Sequence, residues 1–338
     1  MDKTILMTQT ILMVLISVIG GFLLAFLLGK VLLPALRRLK AGQAIREEGP
    51  KWHNTKAGTP TMGGLMFIFA SFLCIITGWS GMMEEGDYSH LIVLSLSLMF
   101  GLIGFYDDFI KVKKKRNLGL TGVQKLALQI LAAGVFLLLM YLTDSLHFDL
   151  YIPFVKEPVA QIPPVIYLAV AVVAIVGCVN AVNLTDGIDG LASGVTLPVM
   201  LFFTLVSMSM LKVGLATFPA TLVGGLAGFL CYNFYPAKTF MGDTGSLFLG
   251  GAVVGLAFAL NMPLVLLLVG LIYIIETLSD ILQVGYFKLT HGKRIFKMAP
   301  IHHHFEMCGW SEKKIWTVFV LTTVIMCVIA WFGVRIWF

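Results

Sequence analysis

Long apolar runs recur along the chain, each near the length of a membrane crossing and most ending in a polar cluster. A helix needs about 20 apolar residues to cross a bilayer. Ten stretches approach that length: Ile11–Leu33, Thr61–Trp79, His90–Tyr106, Gly122–Leu142, Pro163–Val182, Leu191–Met210, Thr217–Tyr235, Ser246–Leu260, Pro263–Phe287 and Ile315–Trp337. The third and eighth are short and the ninth is long. Gly250, Gly251 and Gly255 in the eighth predict close helix packing. The pattern predicts an all-α polytopic membrane protein of about ten transmembrane helices, a single integral membrane domain over residues 1–338. His147–Phe154 alternates partly and fits either a short surface hairpin or an irregular loop.

Composition strengthens this picture. Hydrophobic residues make up 58% of the chain and charged residues 12%, against about 25% charged in soluble proteins. The mean hydropathy is +0.92. A soluble core of this size could not hide so many apolar side chains. The first apolar run is too long for a signal-peptide core and reads as a permanent span. Five scattered cysteines without a C-x-x-C spacing indicate neither a disulfide framework nor a zinc ribbon.

The net charge of +6 reflects topology rather than nucleic-acid binding. Lys and Arg gather after the first span (Arg37, Arg38, Lys40, Arg46, Lys51, Lys56), after the third (Lys111, Lys113, Lys114, Lys115, Arg116) and after the ninth (Lys288, Lys293, Arg294, Lys297, Lys313, Lys314). Alternate loops are nearly bare of base. By the positive-inside rule the basic loops face the cytoplasm and both termini lie outside. The expected cytoplasmic catalytic loops are 34–60, 106–125, 183–190, 234–246 and 288–314.

The polar clusters sit in those loops. Asp107 and Asp108 follow the third span, where a water boundary would relieve the penalty of an intramembrane Asp. Adjacent carboxylates can share a hard divalent cation, or one can accept a proton; an ordinary helix-end pair is the plain alternative. In Asn180–Gly190, Asn180, Asn183, Asp186 and Asp189 are three apart and would share a helix face, while Gly187 and Gly190 point to a turn. Phe240–Ser246 offers Asp243 in a glycine-flanked turn, with Thr244 or Ser246 as a helix cap and Asn233 and Lys238 upstream. A helix N-terminus beside a carboxylate site suits phosphate. Lys56, Lys111 and Lys125 could pair with that phosphate, although Lys56–Gly64 is no P-loop.

Three consecutive histidines, His302 to His304, cannot all face one site. Glu276 and Asp280, in the apolar ninth span, imply a bend, a wet groove or partners inside the bundle. Two functions fit these residues. One is a magnesium-dependent phosphoryl or phosphosugar transferase at the lipid–cytoplasm boundary; the other is an ion- or proton-coupled transporter. A transporter would place its polar groups near mid-membrane, often in repeated halves. Here they gather on one side, which favours the enzyme.

Lys56–Gly64, Asp107–Asp108, Asn180–Gly190, Phe240–Leu247 and Pro300–Glu306, in that order, resemble the bacterial phospho-N-acetylmuramoyl-pentapeptide transferases. These belong to the polyprenyl-phosphate N-acetylhexosamine-1-phosphate transferase superfamily. The resemblance implies UDP-N-acetylmuramoyl-pentapeptide and undecaprenyl phosphate as substrates, lipid I and UMP as products, and Mg2+ as cofactor. It also implies ten helices with a long, bent ninth, a homodimer, and an active site on the cytoplasmic side of the bacterial inner membrane. Asp243 would then be the magnesium ligand, and Asp107 or Asp108 a base, nucleophile or further ligand. Lys125 and His302 would contact phosphate near Lys56, and Asn183 and Asp186 would contact uridine, phosphates or metal-linked groups. Phe240 would stack on the base, and Lys111, Asn233 and His303 would complete the substrate-binding set.

Overall fold

The computed structural model describes residues 3–39, 58–79, 86–114, 116 and 118–338. Its helices are α1 (Lys3–Arg38), α2 (Leu65–Ser71), α3 (Leu73–Thr77), α4 (Ser89–Lys114), α5 (Gly122–Leu142), α6 (Pro164–Thr185), α7 (Leu191–Ser209), α8 (Val213–Asn233), α9 (Gly242–Ala259), α10 (Leu266–Val269), α11 (Leu271–Leu289), α12 (Ile301–Met307) and α13 (Glu312–Val334). The fold is all-α, as expected. The 147–154 region does form a hairpin, in which β1 (Asp149–Leu150) pairs antiparallel with β2 (Ala160–Gln161).

Among the described residues, eight helices are long and apolar enough to span a membrane, and the bent pair Pro263–Val269 and Leu271–Leu289 makes a ninth. The remaining expected span, Thr61–Trp79, holds only the shorter apolar stretch Leu65–Thr77, interrupted at Phe72. The 80° bend of the ninth falls at Gly270. A Cβ there would lie 2.6 Å from the Leu266 carbonyl oxygen, so a side chain would crowd the turn.

Burial sorts the bundle into a centre and a rim. The apolar window of α9 is 89% buried, whereas that of α1 is 22% buried. α9 packs on α4, α6 and α7. Its glycines permit this: a Cβ on Gly250 would lie 2.6 Å from Val179 Cα, and one on Gly251 would lie 3.0 Å from Ser97 Cα. Close backbone approach of this kind is what small residues contribute inside a bilayer, where apolar lipid provides no hydrophobic drive for association. α4 and α9 therefore run side by side, and the carboxylates near their ends share one place.

Two departures from the sequence reading shape that place. α4 does not stop at Tyr106 but continues two turns to Lys114, so Asp107 and Asp108 are buried helical residues rather than groups in a loop. The 288–314 segment also contains a helix, α12, which begins after Pro300.

Candidate active site

The site is assembled where α4, α5, α6 and α9 converge. Gly104 on α4 lies against the backbone of Asp243 and Thr244, and a Cβ there would overlap the Asp243 carbonyl. This contact delivers the first turn of α9 to the Asp107–Asp108 pair. Gly242 takes a positive φ of 70°, a conformation natural to glycine. A Cβ at that position would meet the Asp108 carboxylate.

Each carboxylate has a different set of partners. Asp108 Oδ2 accepts from the Thr244 backbone N–H at 2.9 Å and from Thr244 Oγ1 at 2.7 Å. It thus caps α9 from a neighbouring helix and sits at the positive end of that helix dipole. Asp107 Oδ1 accepts from Leu120 N at 2.7 Å, while its Oδ2 lies 2.6 Å from Lys111 Nζ. Asp243 Oδ2 accepts from Lys111 Nζ at 2.9 Å and Lys125 Nζ at 3.0 Å, and Oδ1 accepts from Asn183 Nδ2 at 2.9 Å. Asn183 also donates to Ser246 Oγ, which ties α6 to α9.

Lys125 is placed by a capping box at the start of α5. Thr121 Oγ1 accepts from Gln124 N, and Gln124 Oε1 accepts from Thr121 N. Both ends of this box fix the first turn from which Lys125 projects.

One carboxylate oxygen each from Asp107, Asp108 and Asp243 lies within 4.8 Å of the others. Three hard oxygen donors so close together suit Mg2+. The ammonium groups of Lys111 and Lys125 already balance charge on Asp243 Oδ2. The same cluster offers carboxylate oxygens to a cation and, through the lysines, positive charge to phosphate oxygens.

The Asn180–Gly190 stripe divides its labour. Asn180 pairs with Gln129 and donates to the Val176 carbonyl. Asp186 stands at the C-terminus of α6. Burial, then the carboxylates of Asp243, Asp108 and Asp189, pushes its carboxyl up to about 8. Asp189 Oδ2 accepts from Ala237 N at 2.8 Å, and Asp189 N donates to Glu312 Oε2, which joins the 186–190 turn to the 234–240 loop and to α13.

Other expected residues hold structure. Asn233 is buried, with Oδ1 accepting from Ser193 Oγ and Nδ2 donating to the Thr239 carbonyl. It organises the loop that carries Phe240, itself half-buried and bonded through its backbone to Pro60 and Gly63. The histidines diverge: His302 Nδ1 meets Glu276 Oε2 at 2.9 Å, His303 Nδ1 meets Glu306 Oε2 at 2.6 Å, and His304 Nδ1 accepts from Lys297 N. Lys56 lies outside the described residues.

Sequence reasoning missed three partners. Glu276 was noticed for its cost in an apolar span, but its pairing with His302 was not. Gln283 accepts from Ile295 N and Phe296 N and holds the loop after α11. Glu312, at the start of α13, carries no signal in the sequence of its contact with Asp189 N. For Gln283 the signal was available: Glu276, Ser279 and Gln283 recur on the buried face of α11 at helical spacing.

Carboxylates, amides and lysines thus converge at one end of a bundle of apolar, membrane-length helices rather than midway along it. The profile described as Glycosyl transferase family 4 matches residues 90–261, and a phospho-N-acetylmuramoyl-pentapeptide-transferase signature matches residues 56–68. A curated phospho-N-acetylmuramoyl-pentapeptide-transferase of Clostridium acetobutylicum is 48% identical over 317 residues, 94% of this chain and 98% of the relative. The enzymes of the same name from Clostridium perfringens strain SM101 and Clostridium kluyveri are 47% and 45% identical over 94% and 93% of this chain, covering 95% and 96% of their own lengths. The chain belongs to the phospho-N-acetylmuramoyl-pentapeptide transferase family, as a multi-pass bacterial membrane protein. Nothing in these comparisons supports the transporter alternative.

Proposed function

We propose that this chain transfers phospho-N-acetylmuramoyl-pentapeptide from UDP to undecaprenyl phosphate at the cytoplasmic face of the membrane, releasing UMP and forming lipid I. The observation that carries this reading is the Asp107–Asp108–Asp243 cluster with Lys111 and Lys125, in a chain 48% identical to a curated enzyme of that name. Asp243, flanked by Asp107 and Asp108, would hold the magnesium ion. When bound, that ion would neutralise the pyrophosphate and make UMP a better leaving group.

The remaining work belongs to the side chains. Lys111 and Lys125 offer charge to phosphate oxygens and orient them. Asn183 holds Asp243 in place while reaching Ser246. Asp108, with Oδ2 engaged twice by Thr244, is poorly placed as a nucleophile. Asp107 has both oxygens engaged, by Leu120 N and Lys111, so either carboxylate remains a candidate to handle a proton. The acceptor phosphate has a second pKa of about 6 and is largely ionised near neutrality, so little base strength is needed. Direct one-step transfer is therefore favoured, and a trapped aspartyl-phosphosugar would overturn it. The homodimer implied by the resemblance belongs to this same reading.

Purified protein with UDP-N-acetylmuramoyl-pentapeptide, undecaprenyl phosphate and magnesium should yield lipid I and UMP. UDP-N-acetylglucosamine should be a poor donor, and transfer from it alone would move the chain to another branch. Impermeant labelling of cysteines placed at Lys293 and Asp144 in a cysteine-free background tests orientation. Label reaching position 293 from outside intact spheroplasts would reject the cytoplasmic site.

A further inference from the structure

One buried acid plays no part in the mechanism above. Glu276, on the inward stripe of α11, is fully buried. Its Oε2 lies 2.9 Å from His302 Nδ1, and its Oε1 has no hydrogen-bond partner among the described residues. His302 is equally buried, and its Nε2 also lacks a partner there. That nitrogen abuts Gly187, where even a Cβ would overlap the ring. The edge of the imidazole is therefore aimed at the turn that follows Asp186.

The surrounding ionisable groups are accounted for. The His303 ring packs beside His302 with centroids 4.1 Å apart, but its Nδ1 belongs to Glu306. Asp186 and Asp189 flank Gly187 on the turn, with Asp189 bonded to the Ala237 and Glu312 groups. Glu276 is thus the acid bonded to Nδ1.

A carboxyl group and an imidazole buried together are stabilised when the pair carries no net charge. Two such arrangements make the Nδ1–Oε2 contact a good hydrogen bond. Either an imidazolium Nδ1–H donates to the carboxylate, or a carboxyl O–H donates to a neutral Nδ1. The shared proton sits on a different atom in each, yet Nε2 carries its own hydrogen in both. A buried donor without an acceptor is unfavourable until one arrives; here Nε2 is closed off by the Gly187 backbone, so an acceptor reaches it when the 186–190 turn shifts.

We infer that Glu276 is a positioning residue that holds His302 edge-on to the Asp186–Gly190 turn as a standing Nε2–H donor to an anionic oxygen of the substrate phosphates. His302 is then not a base. The inference rests on the transferase reading and adds to it the group that sets the state of the histidine.

Full-length wild-type protein is compared with E276L, E276Q, H302Q and E276L/H302Q. E276L removes the partner that fixes the orientation of the ring. Its kcat should fall at least about tenfold, as for other carboxylates that orient a working histidine, while KM for the nucleotide donor changes little. E276L/H302Q should be no slower than H302Q alone. E276Q keeps the shape of the side chain and should lose less, and it carries the comparison if E276L does not fold.

Nitrogen NMR on histidine-labelled protein, with His302 assigned by difference from H302Q, should find Nε2 protonated throughout in wild type. Additive losses in the double variant or a bare Nε2 in wild type would overturn the inference. Wild-type protein that makes no lipid I would instead remove the transferase reading, and the NMR result would still decide the state of the pair.

Discussion

The two ends of the bundle contain similar acidic residues and use them differently. At the active-site end, Asp107 and Asp108 come from α4 and Asp243 from α9, and their oxygens approach within 4.8 Å. At the other end, Asp87, Asp144 and Asp149 line a polar crevice of about 510 Å³ with His147 and Lys212. There Asp144 is exposed, and Asp87 Oδ1 simply accepts from Ser89 N at the start of α4. Among the described residues, only the first end forms a three-carboxylate cluster. Acid content alone therefore does not make a site. Convergence of two helices, with lysines supplied from α4 and α5, gathers the carboxylates into one ion-paired cluster.

The contrast is broken most severely at Asp243, which touches Lys111, Lys125 and Asn183 at once. Asp243→Asn should lower lipid I formation by about a thousandfold or more, since it removes charge where the reacting phosphates must be held. Thermal unfolding in detergent should show the bundle intact. Ordinary turnover of this variant at ordinary magnesium would refute the assignment.

Asp108 sharpens the comparison differently, because it resembles Asp87 in being a helix cap, but one donated across a helix interface. Asp108→Ala leaves the Thr244 N–H and hydroxyl without their acceptor. Loss of a cap costs about 0.5–2 kcal/mol, so this variant should melt earlier than wild type as well as lose activity. Equal melting temperatures would mean that Thr244 finds another partner.

These roles also show what could be read without coordinates. The spans were legible because apolar run length is a one-dimensional property, and so was the gathering of Asp107, Asp186 and Asp243 at one end, because helix polarity alternates along the chain. The end of α4 was not. Asp107 and Asp108 looked like an exit into water, yet the helix continues: Thr244 N–H of α9 donates to Asp108, and Leu120 N and Lys111 meet Asp107. The partners of His302 and Asp189 were equally hidden: Glu276 is 26 residues from His302 and Glu312 is 123 from Asp189. No local pattern encodes such a separation.

A smaller effect is expected at Asp186, whose carboxyl is pushed from 3.8 to about 8 by burial and by the cluster itself. Its charged form is disfavoured in the folded protein but not in the unfolded chain. Stability is therefore unaffected below about pH 4, declines as pH rises from there to 8, and stays reduced above that. Asp186→Asn removes this slope. With magnesium chelated, its melting temperature relative to wild type should increase from pH 6 to pH 8. A constant difference would mean that Asp186 is solvated or compensated.

The smallest effect belongs to the other end. Asp144 is exposed beside the turn that ends α5, and Asp149 is half-buried in the two-residue ladder, where its backbone pairs with Gln161. Neither belongs to the three-carboxylate cluster. Asp144→Asn and Asp149→Asn preserve shape and remove one charge each from a solvated crevice. Surface substitutions away from caps and buried networks are usually within about 0.5 kcal/mol of neutral, and charges beyond a Debye length of about 8 Å are largely screened at physiological salt. Both single variants and the pair should retain wild-type turnover, magnesium dependence and melting temperature. A loss of magnesium affinity in the pair would show that the crevice communicates with the distant carboxylates through α4 or α9, the helices that run toward both ends. The two ends would then be one electrostatic system, and convergence alone would not explain why only one of them performs chemistry.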